Sequence, residues 1–297
     1  MTVRFKMPFA PQHKDDFGVV YNLPDPRPYY SGLRPVDYRM PEVLGRTLRR
    51  LVPWYVSARR LFRAPVLMDF AAGFGAVGAM LRHRLSMRAL YAYYARAKWR
   101  PEWPRELRGA DRDWYGMTRL AAPGELLIIG ADVADEALGY AESMGLIDVR
   151  YDVDLASQPV SADLERRLSE LDLVVEAGSV GPVQAAAFGA LLDAGARPWF
   201  LRCPRPDVDW SSLETVFARY GYRSEPLGTP VRYRQLLSEA ERAQSARAAA
   251  ALGSSAAQTF LDGYLSVSMR LTRPEPDAAR WSAADICSTL ALDELCG

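Results

Sequence analysis

Short apolar runs alternate with stretches of helical periodicity along most of the chain. The runs at residues 65–70, 125–132, 149–155 and 171–177 are short enough for buried strands, and most precede apolar residues at helical spacing. This alternation predicts an α/β fold, a mostly parallel sheet with helices on both faces. Further strands are predicted at residues 197–206, 222–227 and 264–271, and further helices at 183–194, 211–220 and 238–251.

The first predicted strand leads into a turn of small residues and then into a helix. Asp69 closes the apolar run, and Ala71, Gly73 and Gly75 follow it at alternate positions. Small residues let a nucleotide-like ligand approach the backbone, and free N–H groups at a helix start face such a ligand. The stretch therefore predicts a ligand site, and the alternative is a tight turn with a purely structural role.

The segment before that strand is rich in proline and tyrosine. Residues 24–41 contain several prolines with Tyr29, Tyr30 and Tyr38 among them. Prolines at this density disfavour a regular helix, so we expect an extended segment that wraps around the protein. Pro41 suits the first turn of a helix that reaches about Tyr55.

Two motifs carry a resemblance to a known superfamily. The stretch from Pro65 to Leu81 resembles the first motif of class I S-adenosylmethionine (SAM)-dependent methyltransferases, with Ala71 in place of the usual first glycine. Residues 128–148, which include Asp132, resemble the second motif. Residues 25–41 and the helices after the first motif look like a little-studied bacterial subfamily of methyltransferase-like proteins, and this resemblance covers about residues 25–274.

The resemblance implies a Rossmann-like class I methyltransferase fold with a seven-stranded, mostly parallel sheet and an N-terminal lid. An acid at the end of the second strand, here Asp132, would hold both ribose hydroxyls of SAM. NAD-dependent enzymes use the same device, but they carry a GxGxxG turn without the preceding acid, and carboxylates suit a sulfonium better than a pyrophosphate. The implied cofactor-binding residues are Asp69, Ala71, Gly73, Gly75, Asp132, Val133, Asp154, Leu155 and Gly178. Asp152 is the alternative to Asp154 for the acid on the adenine side.

The end of the fourth strand supplies the candidate catalytic residues. Glu176 could act as a general base or hold a substrate amine, and Ser179 could orient the nucleophile. The alternative for Glu176 is a salt-bridged acid at a strand end. Tyr30 is a third catalytic candidate, and Tyr29, Tyr38, Tyr91 and Tyr94 are candidates for lid or substrate contacts, or else for core packing.

The chain is predicted to have three parts. Residues 1–64 form a lid or cap segment, residues 65–274 a SAM-binding domain, and residues 275–297 a C-terminal appendix. An aromatic insertion at about residues 85–122 interrupts the domain. Its mixture of aromatic and basic residues could bind nucleic acid by stacking, but interspersed acids favour a helical insertion packed beside the pocket.

The composition of the chain limits the classes of partner that the sequence predicts. The formal net charge is +1, so no basic surplus recommends nucleic acid. Three cysteines and two histidines, all scattered, predict neither a disulfide framework nor a metal site. No apolar stretch has the length of a membrane helix or of a secretory signal, and a cytoplasmic location is the expectation.

The expected reaction is nucleophilic attack on a carbon attached to the SAM sulfonium. The favoured form is methyl transfer to a small molecule. One alternative is intramolecular cyclisation of SAM, its only substrate, to azetidine-2-carboxylate with release of methylthioadenosine. A second is a SAM-binding protein without catalysis. Neither the methyl acceptor nor the oligomeric state follows from the sequence.

Overall fold

A seven-stranded sheet forms the centre of the computed structural model, which describes residues 18–96, 104–120, 126–178 and 181–295. In order across the sheet, the strands are β3 (Val149–Asp152), β2 (Leu127–Asp132), β1 (Val66–Phe70), β4 (Leu173–Glu176), β5 (Trp199–Arg202), β10 (Arg270–Pro274) and β6 (Tyr222–Pro226). The first five pair in parallel, and β10 is antiparallel to both of its neighbours. The predicted fold class is confirmed.

Helices cover both faces of this sheet. Neighbouring side chains on β1 point to opposite faces, so Leu67 joins one apolar cluster and Met68 the other. The first cluster includes residues of α3 (Met40–Arg59), α4 (Ala76–Arg82) and α7 (Asp135–Ser143). The second includes residues of α8 (Ala162–Leu168), α9 (Gly181–Asp193) and α10 (Ser211–Arg219).

The proline-rich segment is helical, so the prediction of an extended chain is wrong. It forms α2 (Arg27–Leu33) and a 3₁₀ turn (Arg34–Val36), and a short helix, α1 (Gly18–Tyr21), precedes them. Pro28 and Pro35 lie in the first turns of their helices, where the missing N–H removes no hydrogen bond. The position of these prolines therefore matters more than their density.

The aromatic insertion is helical where it is described, as predicted, and it packs against α2. It forms α5 (Met87–Tyr94) and α6 (Pro104–Thr118); residues 97–103 and 121–125 lie outside the described residues. The Arg27 guanidinium donates to both carboxylate oxygens of Asp111, at 2.6 and 3.1 Å, and all of these groups are buried. This ion pair fixes the start of α2 to the insertion.

The last strands differ from the prediction of one strand at residues 264–271. That stretch forms β9 (Tyr264–Val267), which belongs to a second sheet, and then β10, which returns to the central sheet. The second sheet has the order β7 (Val231–Gln235), β9, β8 (Phe260–Leu261). Its strand β7 alternates arginine with other residues, so it carries no apolar run to indicate a strand.

The remaining helices lie in the C-terminal third of the chain. They are α11 (Glu239–Ala251), α12 (Ala256–Thr259), α13 (Glu275–Arg280), α14 (Ala283–Leu290) and a 3₁₀ turn (Leu292–Leu295). The C-terminal elements contact α3, where Arg50 donates to the carbonyl oxygens of Leu290 at 2.8 Å and Ala291 at 2.7 Å. Within the described ranges, no helix combines the length and the apolar character needed to span a bilayer.

Candidate functional site

A cavity of about 350 Å³ lies at the carboxyl ends of β1 and β4. The chain order reverses at this point. On one side of β1 the sheet continues through β2 and β3, and on the other side it continues through β4 and β5. Open α/β sheets bind ligands at such switch points. The cavity is lined by Tyr21, Tyr29, Leu33, Val36, Tyr38, Pro41, Asp69, Phe70, Ala71, Ala72, Ala76, Val77, Ala177, Gly178, Val183, Tyr233 and Arg234.

The turn after β1 requires small residues for geometric reasons. Ala71, Gly73 and Gly75 all have left-handed backbone angles, with φ of 58°, 50° and 70°. A Cβ on Gly75 would lie 2.9 Å from the Cβ of Ala141 in α7, so the close approach of α7 also requires glycine at position 75. Ala71 keeps the turn in spite of its side chain, because its N–H donates to the carbonyl oxygen of Ala131 at 2.8 Å.

Asp132 ends β2 beside this turn, and its carboxylate already accepts hydrogen bonds from groups of the protein. The N–H of Gly73 donates to Oδ2 at 2.8 Å, and the N–H of Ala134 to Oδ1 at 3.0 Å. The Tyr21 hydroxyl also donates to Oδ2, at 2.7 Å. Sequence analysis missed Tyr21, and no motif could have indicated it, since the contact joins residues 111 positions apart.

Asp69 and Glu176 lie on adjacent strands beneath the cavity and are both buried. Burial is the main cause that raises the pKa of Asp69 well above its usual range, and the charges of Asp132 and Glu176 raise it further. No residue that the structure describes donates a hydrogen bond to Oδ2 of Asp69. Glu176 accepts from the N–H of Gly178 through Oε1 and from the N–H of Cys203 through Oε2, the latter at 3.5 Å. A positively charged ligand would be favoured next to these acids.

Two tyrosines hold the backbone that leaves β4. The Tyr38 hydroxyl donates to the carbonyl oxygen of Ala177, and the Tyr233 hydroxyl to that of Gly178 at 3.4 Å. Their rings meet edge to face with centroids 5.3 Å apart. Burial raises the pKa of both hydroxyls, so both stay protonated and able to donate at neutral pH. Tyr233 lies on β7, and sequence analysis did not identify it as a site residue.

The predicted tyrosines divide into two groups. Tyr29 and Tyr38 line the cavity. Tyr30, Tyr91 and Tyr94 are not among the lining residues: Tyr30 stacks on Tyr94 at 4.7 Å, and the Tyr91 hydroxyl donates to the carbonyl oxygen of Tyr38 at 2.8 Å. In this structure, these three rings belong to the packing between α2 and α5.

The remaining predicted residues lie at the edge of the cavity or outside it. Val133 is 65% exposed on the loop after Asp132. Asp154 accepts from the N–H of Ala156 and the hydroxyl of Ser157 within its own turn, and Leu155 packs into the apolar cluster of the opposite face. Ser179 lies outside the described residues. Among the residues that the structure describes, no group of three or more His, Cys, Asp or Glu could hold a metal ion.

Comparisons with known proteins give only distant similarity. No family model and no curated protein matches the chain. Among solved structures, magnesium protoporphyrin IX methyltransferase from Synechocystis PCC 6803 with bound SAM is 12% identical over 77% of this chain and 79% of that one, with a TM-score of 0.37.

Two other solved structures are similar at the same level. The plantazolicin methyltransferase BamL with S-adenosylhomocysteine (SAH) gives 10% identity over 79% of this chain and 85% of that one, with a TM-score of 0.40. The [4+2]-cyclase SpnF gives 15% identity over 76% of this chain and 80% of that one, with a TM-score of 0.36. The strand order itself, with β10 antiparallel between β5 and β6, defines the fold, and it is the Rossmann-like class I methyltransferase arrangement implied by the sequence.

Proposed function

We propose that the chain binds SAM at the carboxyl ends of β1, β2 and β4 and catalyses attack on a carbon attached to its sulfonium. One observation carries this proposal: Asp69, Asp132 and Glu176, all buried, end or nearly end three adjacent strands. Asp69 lines the cavity itself, as do Tyr21, which contacts Asp132, and Ala177, which follows Glu176. Buried carboxylates stabilise a cation and repel an anion such as a pyrophosphate. A sulfonium ligand with an ammonium group fits this charge, and a dinucleotide does not.

The residues present fit the two ends of SAM. Asp132 would hold the ribose hydroxyls, and the turn from Ala71 to Gly75 offers backbone without side chains in the way. Asp69 lines the cavity, and its unpartnered oxygen could accept a charged hydrogen bond from the ammonium group of the methionine end. The further predicted contacts, Val133, Asp154, Leu155 and Gly178, belong to the same proposal.

The protein's contribution to the reaction is alignment, exclusion of water and removal of a proton. Bound SAM supplies a carbon made electrophilic by positive sulfur. Glu176 would accept the proton that the nucleophile loses, while Tyr38 and Tyr233 hold the adjacent backbone in place. The tyrosine rings at the cavity wall favour the cation by about 0.5–2 kcal/mol each.

The N-terminal segment would act as the lid. Tyr29, Leu33, Val36, Tyr38 and Pro41 form one wall of the cavity, and most of this surface is apolar or aromatic. Such a wall keeps water from the sulfonium and accepts a small, largely apolar methyl acceptor. Methyl transfer to a small molecule is therefore the function that we favour, with Ser179 as a further candidate for an orienting group.

The cavity size supports a second candidate reaction. A volume of about 350 Å³ is near the lower end for ligand pockets, so it leaves little room for an acceptor beside SAM. In the cyclisation, the amine of SAM attacks its γ-carbon, the carbon–sulfur bond breaks, and methylthioadenosine leaves with the sulfur electron pair. The amine proton would pass to Glu176, and azetidine-2-carboxylate would form.

Product analysis distinguishes the two reactions. Purified protein is incubated with SAM alone, and the products are identified by mass spectrometry. Methylthioadenosine together with azetidine-2-carboxylate would support cyclisation. Stable SAM that becomes SAH only when small-molecule extracts are added would support methyl transfer. The proposal is wrong if calorimetry detects binding of neither SAM nor SAH.

A further inference from the structure

The segment Gly18–Asn22 lies at the adenosine end of the proposed site. The Tyr21 hydroxyl is 2.7 Å from Oδ2 of Asp132 and 3.3 Å from the carbonyl oxygen of Ala71. A Cβ built on Gly73 would lie 3.1 Å from the same hydroxyl. The tyrosine thus contacts the acid and the glycine turn that the ribose of SAM would use.

Asn22 makes a second attachment next to it. Its Oδ1 accepts from the N–H of Glu136 at 3.0 Å and of Ala137 at 3.4 Å, and its Nδ2 donates to Asp135 at 2.9 Å. Ala134, which precedes α7, offers no side-chain cap, so Asn22 satisfies free N–H groups at this helix start. Two consecutive side chains therefore hold the segment over the loop after β2.

The chain just beyond this segment is fixed independently. Arg27 pairs with Asp25 at 3.0 Å and with Asp111 at 2.6 Å, and these groups are buried. Only Leu23 and Pro24 separate Asn22 from this anchor. The segment can therefore leave the loop by rotation about residues 22–24, while α2 stays in place.

We propose that Tyr21 and Asn22 form a self-inhibitory latch, which occupies the adenosine end of the site until the ligand displaces it. This inference rests on the proposed function. A carboxylate that binds two ribose hydroxyls uses both oxygens, and Oδ2 of Asp132 already accepts from Gly73 and Tyr21. The Tyr21 hydroxyl and the ribose compete for one oxygen, so the free protein binds SAM more weakly than its open form does.

The test is calorimetric titration of SAM into the full-length protein and two variants. Tyr21→Phe keeps the ring and removes the hydroxyl that competes for Asp132, so we expect about tenfold tighter binding. Asn22→Ala should tighten binding in the same direction, but less. Tyr220→Phe is the matched control, because the Tyr220 hydroxyl also donates to a carboxylate, that of Asp193, but lies at the end of α10. The affinity of this variant for SAM should be unchanged.

The sign of the change decides between the two possible roles of Tyr21. A residue that binds the ligand would lose affinity on mutation to phenylalanine, and weaker or equal binding would overturn the latch while leaving SAM binding intact. If neither the unaltered protein nor Tyr21→Phe binds SAM, the proposed function itself fails, and the latch fails with it.

Hydrogen exchange of the ligand-free protein gives a second readout. In Tyr21→Phe, the amides of Glu136 and Ala137 should exchange faster than in the unaltered protein, because the segment that caps them detaches more often. Added SAM should have the same effect in the unaltered protein. Unchanged protection of these amides in both cases would contradict the latch.

Discussion

Asp132 and Asp69 are buried acids on neighbouring parallel strands, yet the protein treats them in opposite ways. Asp132 accepts hydrogen bonds from two backbone N–H groups and one hydroxyl. Asp69 has an oxygen that accepts from none of the described residues, and its pKa is raised mainly by burial. Both acids are buried, so burial does not distinguish them. They differ in the hydrogen-bond donors that the protein provides to each carboxyl group.

This difference separates the roles of the two ends of the cavity. At Asp132 the protein provides its own substitute for a ligand, so binding there is an exchange of partners. At Asp69 the free protein leaves a polar atom unsatisfied, which costs about 1–3 kcal/mol. A ligand that donates to Asp69 removes that cost, so the methionine end should supply net affinity and the adenosine end selectivity.

The largest effect is expected for Asp132→Ala. Measured by calorimetry in the Tyr21→Phe background, which removes the competing hydroxyl, SAM binding should weaken by about 2–4 kcal/mol, because two charged hydrogen bonds to the ribose are lost. This corresponds to about 30- to 1,000-fold in affinity. Asp113→Ala is the control, since Asp113 is an exposed acid on α6. Equal affinity in both variants would exclude Asp132 as the ribose acid.

Glu176→Gln tests the chemistry at the other end. We expect SAM binding to change only a few-fold, because glutamine keeps the acceptor for the N–H of Gly178. Turnover should fall by about 10²-fold or more, the usual effect of losing a general base. The measurement is single-turnover kinetics with saturating SAM, together with thermal unfolding to verify the fold. Unaltered turnover would make Glu176 a structural acid.

Asp69→Asn should raise stability while it lowers ligand affinity. Because the folded pKa of Asp69 lies above its unfolded value, the folded state binds more protons, and the stability from this group falls as pH rises above about 4. The asparagine variant lacks this dependence and should gain about 1–3 kcal/mol in free energy of unfolding at pH 7–8. Denaturant titrations at pH 5 and 8 would show it. A destabilised variant at pH 8 would indicate that Asp69 has partners which stabilise its charge.

Ala71→Gly should give the smallest effect. Ala71 has a φ of 58°, a left-handed angle that costs alanine about 1–2 kcal/mol and glycine almost nothing. After the greater entropy of glycine in the unfolded chain is subtracted, we expect stabilisation of about 0.5–1 kcal/mol. Ala72→Gly is the matched control and should destabilise by a similar amount, since Ala72 has no positive φ. If both variants lose stability, the turn has another geometry.

The sequence was informative where the signal is local. An apolar run that ends in an acid predicts a buried strand with the acid near its carboxyl end, so β1, β2 and β4 and the positions of Asp69, Asp132 and Glu176 on them could be predicted from pattern alone. The glycine positions were equally clear, because left-handed angles restrict the residue type. These features depend on neighbours within a few positions.

Contacts between distant segments could not be predicted. Tyr21 reaches Asp132 across 111 positions, and Tyr233 reaches Gly178 across 55. The tyrosines at residues 29–38 and 91–94 were equally plausible site residues in the sequence. In the folded chain, Tyr29 and Tyr38 line the cavity and Tyr30 stacks on Tyr94. Which ring faces a ligand depends on helix orientation, and the proline-rich segment was not expected to be helical.

The contact between α3 and the C-terminal helices has a consequence for how the chain is made. Arg50 and Leu290, which it joins, are 240 residues apart, and a ribosome needs roughly 10–50 s to synthesise that length. During this time the part of α3 that contacts the C-terminal elements lacks its final partners, whereas α4, its other neighbour, is made soon after it. The nascent chain therefore exposes this surface of α3 until synthesis ends. We expect the yield of the protein in cells to depend on chaperones that bind the surface during that time.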